Sequence, residues 1–332
     1  MISFIMPAKN VSLYVSEAIS ALIKANYQDW ELIIIEDHST DNTLSILREM
    51  EEQDSRIRVF ENKGSGKVIG LNYGYTLVSG EVIKCIDADD VLDMKFFDYV
   101  DIMNNCDVLC HDGYVTTNKL RVIRNYSVDK SILIKNFSYC LKYLKGLPRW
   151  IWSFTRSIGD KIFPIPANLP FEDVWFTLMI KKWAGNIQYI NRELYYYRQH
   201  SNQTYGGILN FDDKLILFRA KRMLKLIDVI EHEQTNRLIS GMNDKNSFDE
   251  VRRFYELLAK ETLHLGEIVS SGIPLEFKVK LLVYRKLSFL APLIIRLKWF
   301  VDRRRKAITQ PRSHRIIKNE SISADCVKSK VK

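Results

Sequence analysis

Cysteine, glycine and proline are scarce in this sequence, and long apolar runs are missing. Of 332 residues, 5 are Cys, 14 Gly and 8 Pro. The cysteines, Cys85, Cys106, Cys110, Cys140 and Cys326, are odd in number and none forms a C-x-x-C pair. Cys106 and Cys110 have only His111 nearby, too few ligands for a zinc site. Reduced thiols in a cytoplasmic setting are therefore expected, not a disulfide framework. So little glycine and proline excludes collagen-like and low-complexity classes. The most apolar late stretch, Leu287 to Ile295, is nine residues between Lys286 and Arg296. A membrane span needs about 20. No cation precedes the apolar residues of MISFIMPAKN, so no secretory leader is expected either.

What is present describes a folded, water-soluble chain with 46% apolar and 27% charged residues. At about 150 residues per domain, the length suggests two units. The net charge of +9 is unevenly spread. Residues 1–275 carry 33 basic and 36 acidic side chains, net −3; residues 276–332 carry 16 and 4, net +12. The basic character lies in the tail, so nucleic-acid binding by the body loses its compositional support.

The first hundred residues alternate between the two periodicities. Ile2–Met6 reads as a strand, with Asn10 as a cap for a helix carrying Tyr14, Val15, Ala18, Ile19, Leu22 and Ile23. Leu32–Ile35, Arg56–Phe60 and Val82–Ile86 read as further strands, separated by helices around Leu44–Leu47 and Val68–Leu77. That order means a parallel α/β sheet, which places its ligand beyond the carboxyl ends of the strands. Later, short strands are expected at Val108–His111, Tyr114–Thr117, Arg121–Tyr126, Arg149–Phe154, Ile187–Ile190 and Leu194–Arg198. A helix is expected over Asp173–Trp183, and mostly helix follows from Ile208.

Acidic residues cluster at the strand ends. Asp87-Ala88-Asp89-Asp90 would repel internally unless a hard divalent cation such as Mg²⁺ or Mn²⁺ sat between them. The plainer alternative is a solvated turn capping a helix near Val91. Asp37, in Glu36-Asp37-His38-Ser39-Thr40-Asp41, is able to accept the N3–H of a uracil ring, while Ser39 and Asp41 suit helix capping. Glu172-Asp173 opens a helix, either as a cap pair or as a general base for an acceptor hydroxyl. Arg198 and His200 close a strand; either could meet a diphosphate, and His200 could join the metal shell. Gly64-Ser65-Gly66-Lys67 lacks the phosphate-loop pattern but could wall a nucleotide pocket through Lys67.

Together these segments resemble the inverting glycosyltransferases of family 2. The resemblance rests on Ile5-Met6-Pro7-Ala8-Lys9-Asn10, Ile35–Thr43, Leu71-Asn72-Tyr73-Gly74, Gly80–Ile83 running into Asp87–Asp90, Glu172-Asp173 and Tyr197–His200, and covers about residues 1–205. It implies the GT-A fold, a Rossmann-like α/β mixed sheet flanked by helices. Residues 1–100 would form the donor-nucleotide half and 101–205 the acceptor half, followed by a helical region over 206–308 and a disordered basic tail over 309–332. Donor contacts would come from Pro7, Asn10, Asp37, Lys67, Asp87 and Arg198, and the metal from Asp89, Asp90 and His200. Asp173, paired with Glu172, would be the base. The implied reaction moves a sugar, most simply from a UDP-sugar, to a hydroxyl of a polysaccharide or lipid-linked glycan. The chain departs from the family at Gly70-Leu71-Asn72, where Ala-Arg-Asn is common, and at His38, where Gly is usual.

Phe277–Lys306 alternates apolar stretches with cations. A helix with Trp299 and Phe300 on one side and cations on the other would lie on the anionic inner face of the cytoplasmic membrane, or else pack on the body. The rival readings are a nucleotidyltransferase, which would want a basic glycine loop near the first strand, and a membrane or nucleic-acid adaptor using the tail.

Overall fold

The computed structural model describes residues 1–200, 212–233, 248–290 and 293–294. Its centre is made by two apolar runs, Ile2–Ala8 (β1) and Trp30–Glu36 (β2), which pair in parallel and are buried almost throughout. Strands covered on both faces need this unbroken hydrophobicity. Ile57–Glu61 (β3) and Val82–Cys85 (β4) add to either side, also in parallel. The crossovers are Val15–Ile23 (α1), Thr43–Gln53 (α2) and Lys67–Tyr75 (α3). Val15, Ala18, Ile19 and Leu22 form the buried stripe that docks α1.

Beyond β4 the sheet becomes mixed. The chain passes through Val91–Leu92 (β5), a 3₁₀ turn at Met94–Tyr99, Val100–Met103 (α4), Val108–Thr116 (β6) and Val122–Tyr126 (β7). Two short helices follow, Lys130–Ile134 (α5) and Phe137–Lys142 (α6). A 3₁₀ turn at Arg149–Ile151 leads into Trp152–Thr155 (β8), which is antiparallel to both β4 and β6. Then come Arg156–Ile162 (α7), Asp173–Trp183 (α8) and Ile187–Arg198 (β9). The sheet runs β3-β2-β1-β4-β8-β6-β9-β5, with β7 on β6.

Several expected elements are redrawn by pairing. The two strands expected around His111 and Tyr114 are the single β6, and those around Ile190 and Leu194 the single β9. Register passes from His111–Ile190 to Asp112–Glu193, so polar Asn191-Arg192 is a bulge inside β9 and not a break. The alternative reading of the acid cluster, a cap on a helix near Val91, does not hold: Val91 is in β5 and pairs with Tyr196. Asn10 caps no helix: α1 begins after Tyr14.

Among the described residues the remainder is helical: Asp213–Glu233 (α9), Asp249–Leu258 (α10), Leu265–Ser270 (α11) and Leu275–Arg285 (α12). Arg252 on α10 reaches Asp228 and Glu231 of α9 at 2.9 and 2.6 Å. Arg222 on α9 donates to the Pro170 carbonyl, tying this region to the loop before Glu172. Trp299, Phe300 and the tail over 309–332 lie outside the described residues. No described helix is long and apolar enough to cross a membrane.

Candidate active site

The carboxyl ends of β1, β2 and β4 converge, as an open α/β sheet requires of a ligand site. At the β1 end Pro7 is in register with Ile35, and the chain turns through Asn10 at φ +52°. Asn10 N–H donates to Ser39 Oγ at 2.9 Å, and its Oδ1 accepts Thr40 N–H at 2.8 Å. His38 is also left-handed, at φ +56°. A residue with a Cβ bears a cost of about 1–2 kcal/mol there. Local bonds offset it: His38 N–H donates to Glu36 Oε2 at 3.0 Å and its ring Nε2 lies 2.9 Å from Gly64 O. Asp41 accepts Thr43 N–H at 3.0 Å and Ser12 N–H at 3.1 Å.

Asp37 is buried at the end of β2. Its Oδ1 accepts from Asn62 Nδ2 at 2.7 Å and from Gly66 N–H at 2.9 Å. Its Oδ2 meets Lys9 Nζ at 3.2 Å. Gly66, at φ +97°, turns the loop so that this N–H points at the carboxylate.

Asp87–Asp90 leaves β4 as a turn whose backbone is fixed from β9. Tyr195 Oη accepts Asp87 N–H at 3.0 Å, and Asp90 Oδ1 accepts Arg198 N–H at 2.7 Å. Arg198 itself is buried; its guanidinium donates to Asp89 O at 2.6 Å and to Glu17 Oε2 at 2.7 Å. It braces the acid turn from behind. Asp90 is buried too, and burial followed by the charges of Asp89 and Asp87 pushes its carboxyl well above the ordinary range. Its Oδ1 is thus spent on the backbone of β9, while Oδ2 is buried with no partner among the described residues. Asp89 instead faces His200, Oδ2 to Nε2 at 2.9 Å, and His200 Nδ1 is buried with no partner among the described residues.

At the centre is Arg149, a residue the motifs did not single out. It is only 2% exposed. Its Nη2 donates to Asp87 Oδ1 and its Nε to Glu172 Oε1, the latter at 3.0 Å. Lys67, at the start of α3, completes the ring with Nζ 2.6 Å from Asp87 Oδ1 and 3.3 Å from Glu172 Oε1. Burial opposes ionisation of Asp87, but Arg149 and Lys67 outweigh it and hold that carboxyl at about 2. The same two cations hold Glu172 below its ordinary value against burial. Asp173 behaves oppositely: burial, and then the like charge of Glu172, raise it to about 7. One opposing influence is Arg149 N–H, which donates to Asp173 Oδ1 at 2.9 Å. Adjacent carboxylates with proton affinities driven apart are the pattern of a general acid/base site.

The 3₁₀ turn carrying Arg149 is pinned from below. Buried Lys84 of β4 donates to Trp150 O at 2.6 Å and lies 2.9 Å from His111 Nε2. Burial drives both Lys84 and His111 well below their ordinary values. Trp150 stacks on Tyr195 at 4.7 Å and 6° between planes. At Gly113 a Cβ would stand 2.7 Å from Tyr195 O and 2.8 Å from Trp150 Cη2, so only glycine lets that stack close.

Residues 3–126 match the family model described as "Glycosyl transferase family 2". A glucosyltransferase of Escherichia coli, the UDP-Glc:alpha-D-GlcNAc-diphosphoundecaprenol beta-1,3-glucosyltransferase WfgD, is 35% identical over 200 residues, 58% of this chain and 73% of that protein. The chain belongs to glycosyl transferase family 2. An uncharacterized glycosyltransferase of Nostoc sp. is 26% identical over 215 residues, 60% of this chain and 65% of its own length; a Haemophilus influenzae one is 40% identical over 92 residues, 27% of this chain and 28% of its length. The fold is likewise that of Staphylococcus aureus TarS 1–349 solved with UDP-GlcNAc, at TM-score 0.53, 15% identity and coverage of 86% and 87% of the two chains. It is also that of the mannosyltransferase PcManGT of Pyrobaculum calidifontis solved with GDP-Man and Mn²⁺, at TM-score 0.52, 13% identity and 88% and 81% coverage. The fold is GT-A.

As a family 2 member the chain shows how its departures are accommodated. His38 adopts the left-handed backbone that glycine would take freely. Leu71 is buried and carries no charge, while Lys67, one helical turn earlier on α3, stands at Asp87 and Glu172. Among the described residues no three His, Cys, Asp or Glu side chains gather as a metal cage. Asp89 and His200, in contact at 2.9 Å beside the buried and partnerless Oδ2 of Asp90, nevertheless fit Mg²⁺ or Mn²⁺, ions that take few protein ligands and complete their shell with phosphate and water. Arg149 had left one signal in the sequence: it is the only charge in Gly146–Phe154, between a proline and two tryptophans. A cation inside such a run is buried and paired.

Proposed function

We propose that this family 2 chain is an inverting glycosyltransferase that moves a sugar from a nucleotide diphosphate, a UDP-sugar first, to a hydroxyl of a polysaccharide or lipid-linked glycan at the inner face of the cytoplasmic membrane. The observation that carries this reading is Asp173, a carboxyl raised to about 7 beside a carboxylate and two cations at the sheet's ligand edge. A base with that proton affinity takes a proton from an attacking hydroxyl near neutral pH without being already saturated. As the acceptor oxygen bonds to the anomeric carbon, the bond to the diphosphate breaks on the opposite face.

Asp37 supports a uracil donor. Its Oδ2 shares Gly66 N–H at 3.1 Å and meets Lys9, 49% exposed, at 3.2 Å; the Lys9 contact is the one the N3–H of a uracil ring would displace. Asp87, ionised by its cations, accepts from ribose hydroxyls, and Lys67, half exposed, is the cation within reach of the diphosphate. Asp89 and His200 are the residues that would hold Mg²⁺ or Mn²⁺, which when bound neutralises charge on the leaving group. The relatives favour the same acceptor class: WfgD is named for a diphosphoundecaprenol-linked substrate.

The test is turnover of UDP-, GDP- and dTDP-sugars with Mn²⁺ and a polyprenyl-diphosphate glycan acceptor. Asp173→Asn should lower kcat by about 10²–10⁴-fold, the usual worth of a general base, while UDP binding persists. Unchanged turnover in that variant removes Asp173 from the mechanism.

A further inference from the structure

Among the described residues, the C-terminal helices present a large exposed apolar surface. On α11 only Ile268 is buried, while Leu265 and Val269, one turn apart, are 57% and 71% exposed. On α12 Phe277 and Leu281 face the core, and Leu275 and Val279 on the other side are 76% and 50% exposed. Just past α12, Leu287 and Phe289 are exposed as well. The two helices pack together, and Lys278 Nζ donates to Val269 O at 2.6 Å, so the end of α11 lies against α12. Six large apolar side chains over two adjoining helices and the turn after them exceed what soluble monomers scatter singly over their surfaces.

The charges around this surface select its partner. At about 100° per residue, Lys278 falls on one flank of the Leu275–Val279 stripe and Glu276 followed by Lys280 on the other, with Lys286 in line at its end, a net excess of cations. These cations head a segment, residues 276–332, of net charge +12 on a body of net −3. An apolar stripe between lysines suits the boundary between acyl chains and anionic headgroups, where the stripe enters the bilayer and the ammonium groups meet phosphate. A protein partner would have to offer both an apolar groove and acidic rims.

We propose that the Leu265, Val269, Leu275, Val279, Leu287 and Phe289 surface docks the protein on an anionic lipid bilayer. This differs from the sequence expectation in its residues. The expectation named Trp299 and Phe300, which lie outside the described residues; the stripe proposed here is on α12, opposite the buried Phe277 and Leu281. The partner rests on the lipid-linked acceptor reading above; the geometry of the surface does not.

The experiment is co-sedimentation of the full chain with vesicles of phosphatidylcholine alone and with 40% phosphatidylglycerol, at about 0.1 M salt where screening is moderate. Donor hydrolysis in solution is measured on the same samples, so loss of docking and loss of catalysis are read separately. Wild type should partition at least tenfold more onto the anionic vesicles. Leu275→Asp with Val279→Asp should lower that partition by tenfold or more, with thermal melting and donor hydrolysis unchanged, both sites being exposed. Lys280→Glu with Lys286→Glu should weaken binding to anionic vesicles only. The proposal is overturned if the Asp variant binds as wild type does, if both vesicles bind equally, or if wild type is a dimer in solution that the Asp variant dissolves. That last outcome would make a second copy the occupant.

Discussion

Glu172 sets the proton affinity of Asp173, and Glu172→Gln isolates that effect. In the folded chain the Asp173 carboxyl is raised to about 7 by burial first and by Glu172 second. The substitution leaves burial in place and removes one like charge. A unit charge about 6 Å away at an effective permittivity of about 20 contributes about 3 kcal/mol, or about two pH units. Arg149 and Lys67, relieved of Glu172, attract Asp173 more strongly, which acts in the same direction. The acidic limb of kcat/KM against pH, near 7 in the wild type, should therefore fall toward 5. A base of lower affinity is also weaker, so the plateau should drop. The assay is initial-rate transfer between pH 4.5 and 9 at fixed donor and acceptor. A limb that stays near 7 would show that the titrating group is not Asp173 or that Glu172 does not act on it. Stability carries a linked sign. Between about pH 4 and 7 the folded chain keeps a proton that the unfolded chain has released, so stability should decline with rising pH across that window, by at most about 4 kcal/mol.

Two other perturbations address the scaffold. Lys84→Met strips the Trp150 carbonyl and His111 Nε2 of their donor; at about 1–3 kcal/mol for each buried group left unpaired, chemical denaturation should show a loss of about 2–5 kcal/mol, and kcat should fall as the Arg149 turn loosens. Gly146→Ala sets a Cβ 3.0 Å from Val174 N and 3.1 Å from its Cα; this pushes on the first turn of α8, so transfer should fall more than stability does, checked by kcat beside the melting temperature.

The parallel half of the fold was legible because its residues obey one rule at a time. Leu32–Ile35 is apolar on every side chain and became β2, paired on both sides, and the acids after β2 and β4 stand at the ligand edge where such sheets place them. The mixed half was less legible because its strands are held by register and not by pattern. Asn191 and Arg192 interrupt the alternation of β9 without interrupting its pairing. Val91 and Leu92 are too few to announce a strand, and only Tyr195 and Tyr196 opposite them make one. At the site, Asp37, Asp87, Asp89, Glu172 and Asp173 were all nameable from their place after a strand or before a helix. Arg149 was not, because its importance is a three-dimensional fact: two carboxylates 85 residues apart, Asp87 and Glu172, meet on one guanidinium. Arg198 was named for a diphosphate and serves as a brace, since strand-end position reveals a side chain's neighbourhood but not which way it points.

The bond between Arg149 and Asp87 also bears on how such a chain diversifies. The stretch matched by the family model, residues 3–126, contains Asp37, Lys67, Asp87 and Asp89 but neither Arg149 nor Asp173. Exchange of everything after residue 126 with a relative would keep the proposed nucleotide contacts and import a new partner for them in one crossover. For such a hybrid to work, the incoming piece must present a buried cation to a carboxylate inherited from the other parent. Recombination between relatives is thus filtered at the contacts that cross this joint: Arg149 on Asp87, Lys67 on Glu172, and the bonds from β9 to Asp87, Asp89 and Asp90.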